Sequence, residues 1–116
     1  MAAGLLALLA AAAAAHQVAP EAIVAGVVDP RVRDAWGVDS AYRDEKAPRL
    51  LVIRVGPHWY DRTPAARQKQ AAAWHDLWSQ NVRQGILAVV DATTGTPVVH
   101  FGRGGKVTGV TNRPAP

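Results

Sequence analysis

The side chains best suited to chemistry at neutral pH are four histidines, His16, His58, His75 and His100. Imidazoles titrate near neutrality and bind copper or zinc without help from thiolates. No two of them share a short metal-ligand spacing. A shared site therefore requires the fold to bring His58, His75 and His100 to one end of the molecule, with copper or zinc as the implied cofactor. The plainer expectation is no cofactor, with each histidine in a separate surface or boundary position. If His16 becomes a free N-terminus, its amine and ring offer a further copper chelate.

A second chemical cluster is the run Gly56-Pro57-His58-Trp59-Tyr60-Asp61-Arg62. It joins a strand end to a helix start, and binding residues concentrate in such loops. Trp, Tyr and Arg are also the usual anchors of interfaces. His58, Trp59, Tyr60 and Arg62 are accordingly the candidate contacts for a ligand or partner. The competing expectation is a hydrophobic staple, with Trp59 or Tyr60 packed over the first helical turn.

Signatures of catalysis are few. The serines, Ser40 and Ser79, lie outside any G-x-S-x-G turn, and neither H-E-x-x-H nor G-x-G-x-x-G occurs. Gly102-Arg103-Gly104-Gly105-Lys106 resembles the end of a phosphate loop only faintly, with His100 and Val107 at positions where glycine and Ser or Thr belong. It reads as a flexible turn. Asp44 and Glu45 are adjacent and point apart in an extended chain. No catalytic residue is assigned, and a small hydrolase ranks third among the functions, after binding and metal binding.

These groups need elements to hold them. Asp29, Pro30 and Gly37 have the cap, first-turn and stop positions of a short helix with Val32 and Trp36 inward. Residues 38–48 are polar and read as a loop anchored by Tyr42. Arg49–Val55 is a strand, with apolar residues on both faces, and so is expected at the centre of its sheet. Thr63 and Pro64 start a long helix to about Val82. Its predicted core side carries Ala66, Ala71, Trp74, Leu77, Trp78 and Val82. Ile86–Val90 and Pro97–Phe101 form a hairpin around Asp91–Thr96, and Val107–Val110 adds a short edge strand.

The expected fold class is α+β: a small three- to four-stranded mixed sheet, β-α-β-β in order, with one long amphipathic helix on one face and a short N-terminal helix. The other face is expected to have only the short helix and the connector 16–28 over it. A half-covered sheet commonly meets a partner or another copy of itself.

Composition bounds the rest. The chain has 116 residues, enough for one domain, and 19% are charged. Cysteine is absent, which excludes disulfides, a thiol nucleophile and thiolate metal sites. The net charge of +4 is scattered without a basic run, so nucleic acid is not the expected partner. Residues 1–15, MAAGLLALLAAAAAA, are apolar and uncharged. Ala2–Ala15 as a helix spans about 21 Å, short of the roughly 30 Å hydrocarbon core. With Ala13 and Ala15 in the small-x-small pattern, the segment reads as a signal peptide, though it lacks the usual basic start. The organisation is then leader 1–15, connector 16–28, one domain 29–113 and a frayed tail 114–116. The membrane is met only through the leader. The sequence implies an exported domain, periplasmic or secreted, that binds a protein, a peptide or a cell-envelope component and is not evidently an enzyme.

Overall fold

The structure, a computed structural model, describes residues 18–103, 107–110 and 113–115. The expected leader, His16 and part of the Gly102–Lys106 turn lie outside the described residues. Helices α1 (Pro20–Val27) and α2 (Pro30–Trp36) lead into strand β1 (Val38–Arg43). Strand β2 (Leu50–Val55), a 3-10 turn over Pro57–Asp61 and the long helix α3 (Pro64–Asn81) follow. Strands β3 (Ile86–Asp91), β4 (Pro97–Phe101) and β5 (Val107–Val110) complete the chain. The fold is α+β, as expected.

The sheet runs β1-β2-β3-β4-β5. Its centre is the parallel pair β2–β3, and each flanking pair is antiparallel. Two departures from expectation concern the first third of the chain. Residues 38–43 are an edge strand rather than loop, because one paired side suffices for a polar strand such as VDSAYR. The connector contains α1, which starts at Pro20 without any side-chain cap.

Side-chain alternation places Leu51, Ile53 and Val55 of β2 beside Leu87 and Val89 of β3 on one face, with Val99 and Phe101 of β4. The long helix covers that face through Ala71, Trp74 and Trp78, which are all buried. Thr63 Oγ1 accepts from the Ala66 amide and caps its start. Ile23 and Val27 of α1 join the same cluster. The short helices therefore pack beside α3 rather than over the opposite face, a correction to the expected layering. The core stripe of α3 also differs in detail: it includes Arg67 and His75, whereas Leu77 is 40% exposed.

Gly37 shows how tightly these layers meet. It closes α2 at φ 69°, and a Cβ there would come 2.7 Å from the Trp59 backbone nitrogen. Gly37→Ala is expected to cost about 1–2 kcal/mol from left-handed strain alone, and more once the clash is added. A urea midpoint matching wild type would contradict this packing.

Candidate functional site

The two parallel strands end together at Val55 and Asp91. In sheets with parallel strands, the carboxyl ends are where ligands are usually received. The 3-10 turn leaves β2 here, and the Asp91–Thr96 turn leaves β3. The turns are joined by one side-chain bond: the Tyr60 hydroxyl donates to Asp91 Oδ2 at 2.6 Å.

Asp91 is 3% exposed, and its other oxygen accepts from the Thr93 amide, the Thr94 amide and the Thr94 hydroxyl at 2.9 to 3.2 Å. The Tyr60 hydrogen bond, assisted by those from Thr94 and Thr93, holds its carboxyl below the ordinary aspartate value against the opposing effect of burial. Tyr60 is shifted the other way. Burial is the main cause, and the Asp91 hydrogen bond and charge add to it, so the phenol stays neutral well above its usual range. This pair is an ionised acceptor and a locked neutral donor. It has the chemistry of a clasp, since neither partner is poised to move a proton near pH 7.

Two guanidiniums stand over the Tyr60 ring. The Arg67 carbon lies 5.5 Å from the ring centroid and the Arg113 carbon 5.7 Å. Arg67, in the first turns of α3, is 4% exposed, and its Nε has no hydrogen-bond partner. An open cleft of about 460 Å³ lies alongside, lined by Asp91, Thr93, Thr94, Arg113, Pro114 and Ala115.

The anticipated contact residues divide among different tasks. Trp59 is 1% exposed and stacks on Trp74, with ring centroids 5.8 Å apart and planes 16° apart. It belongs to the core and is not available as a contact, which corrects the expectation for this residue. Tyr60 turns toward Asp91 and over Arg67 at the end of the first turn of α3, a staple-like position, whereas Trp59 packs farther along the helix on Trp74. Arg62 turns the opposite way, donating to the Ala35 carbonyl at 2.9 Å and covering the Trp36 ring. His58 is exposed and its Nδ1 lies 2.6 Å from Asp61 Oδ2. Of these four residues, Tyr60 turns to the cleft side of the loop through its bond to Asp91, and His58 is an exposed neighbour.

The three histidines of the metal alternative are held separately. His75 is buried in α3, with Nε2 3.0 Å from the Gly85 carbonyl oxygen and its ring stacked on Phe101. His100 sits in β4 opposite Ala88. Among the described residues, no group of three or more His, Asp or Glu side chains is placed to hold one metal ion. Ser79 Oγ donates to the Asp76 carbonyl of its own helix.

Sequence reasoning passed over Arg67 and Asp91. Arg67 was legible in part, since it stands four residues before Ala71 and eleven before Trp78 on the buried stripe. Asp91 has the ordinary appearance of a turn residue, and nothing local announces a tyrosine 31 positions earlier. Comparison of the chain with family models, with curated proteins and with solved structures returns no match.

Proposed function

We propose that the chain is a small exported binding domain that receives a protein, a peptide or a cell-envelope component at the carboxyl end of its parallel strands. The observation that supports this most directly is the open cleft beside the Tyr60–Asp91 clasp, where one side-chain bond ties two chain turns together. The saturated hydrogen bonding of Asp91 and the neutral phenol favour recognition over proton transfer. Export rests on the apolar residues 1–15.

Thr93→Arg tests the reading, because Thr93 is exposed and contributes only its backbone amide to the clasp. Material recovered from the native host should co-purify with a partner that the variant loses by about tenfold or more, equivalent to roughly 1.4 kcal/mol. Its intact mass should begin at His16. An unchanged set of companions on a folded variant sinks the cleft as the binding surface, and a retained Met1 sinks export.

A further inference from the structure

We propose that Arg67 and Arg113 form the receptor for an oxyanion, a carboxylate or phosphate group, beside the Tyr60 ring at the mouth of the cleft. This deepens the binding reading and rests on it by naming the chemistry that the cleft accepts.

Arg67 carries the inference. A guanidinium this deeply placed ordinarily has a carboxylate or several carbonyls around it. Here its contact is the face of Tyr60, and no ion pair reaches it among the described residues. Among the described residues, its Nε is the buried side-chain polar atom left without a hydrogen-bond partner. The guanidinium thus keeps unused hydrogen-bonding capacity, and its fork matches carboxylate and phosphate geometry.

The surroundings agree in sign. Arg113 stands over the same ring and also lines the cleft, so Tyr60 has both cations beside it and one of them opens to the cleft. Among the described residues, the carboxylate bonded to Tyr60 is Asp91, whose oxygens are already engaged by Tyr60, Thr93 and Thr94. The Tyr60 hydroxyl is committed to Asp91 and adds no negative charge. Among the described residues around the ring, two positive charges meet one satisfied negative charge, an excess that an anion neutralises. Arg67 is fixed by burial, whereas Arg113 is exposed and can close on what Arg67 holds.

The test uses the full chain labelled with 15N and follows the arginine Nε–Hε signals at constant ionic strength. Sodium phosphate and sodium acetate are the two probes, and they separate a tetrahedral from a planar ligand. The signals of Arg67 and Arg113 should move together and saturate with one dissociation constant, on the order of 1 mM for so small a ligand. Arg31 and Arg33, exposed on α2, should stay still. Arg67→Gln should abolish saturation, and Arg67→Lys should weaken it, because the charge remains and the fork is lost. If removal of Arg67 unfolds the chain, Arg113→Gln carries the test, with binding weakened about tenfold on an intact fold. Linear drift shared by all arginines overturns the proposal. So does saturation that survives both Gln variants. Anion shifts absent while Thr93→Arg still releases the partner end this inference alone; anion shifts present with companions unaffected by Thr93→Arg end the choice of partner surface instead.

Discussion

Trp59→Ala should lower the stability of the fold by about 4 kcal/mol, the ordinary cost of removing a fully buried tryptophan side chain. Trp59 links three layers at once. Its ring is tilted at 55° to Trp36 of α2 and stacked on Trp74 of α3, each centroid 5.8 Å away. Aromatic pairs of this kind add about 1 kcal/mol beyond the area they bury. A domain of this size has only about 5–15 kcal/mol in total, so the variant should stand close to unfolding at room temperature. His58→Ala, one residue earlier and exposed, is the control and should change stability by less than about 0.5 kcal/mol. Urea unfolding of the pair separates the two roles that the sequence left open. Equal midpoints would return Trp59 to the surface and remove the aromatic spine from the core.

The second large effect concerns Asp91. Asp91→Ala removes the acceptor of four hydrogen bonds and leaves the buried part of Tyr60 with a hydroxyl aimed at nothing. Hydrogen bonds to a charged group are worth about 1.5–3 kcal/mol, and the exposed turn amides can recover water, so a net loss of about 3 kcal/mol is expected. Tyr60→Phe should cost less, about 1–2 kcal/mol, because Asp91 keeps its threonine donors. The double variant should cost less than the sum of the two, since each single change already breaks the shared bond. The pH dependence follows from the two shifts. The folded Asp91 value lies below that of the unfolded chain, so its contribution is present above about pH 4 and is lost as pH falls through the folded value. The folded Tyr60 value lies above the unfolded one. Its contribution is therefore complete below about pH 10 and is lost as pH rises from there toward the folded value. Asp91→Asn should flatten the acid limb of a stability–pH curve. An acid limb identical to wild type would show that Asp91 is not the group responsible.

How much of this was legible depended on whether the information was local. Asp29, Pro30 and Gly37 bounded α2 because caps and stops act on adjacent backbone groups, and the structure shows Asp29 accepting from the Arg31 amide and Gly37 in the left-handed conformation. Thr63 and Pro64 marked the start of α3 for the same reason. The hydrophobic strands at the sheet centre were equally plain. Strand β1 was not, because Asp39, Ser40 and Arg43 satisfy an edge position that makes no demand for apolar residues on both faces. The uncapped α1 gave no starting signal beyond Pro20. At the site, Trp59 and Tyr60 were singled out on residue type, but type cannot say which aromatic turns inward. That choice is made by Trp74 and Asp91, which lie far along the chain.

The parallel seam between β2 and β3 has a consequence for how the chain acquires its shape. The pairs β1–β2 and β3–β4 connect neighbours in the chain and can zip up as separate hairpins within microseconds. Joining them requires Leu50 to find Ile86 and Val55 to find Asp91, with residues 56–85 gathered into the crossover between. That closure loses chain entropy before any contact across the seam repays it. Assembly of two ready-made halves, rather than the making of either half, therefore sets the pace of folding.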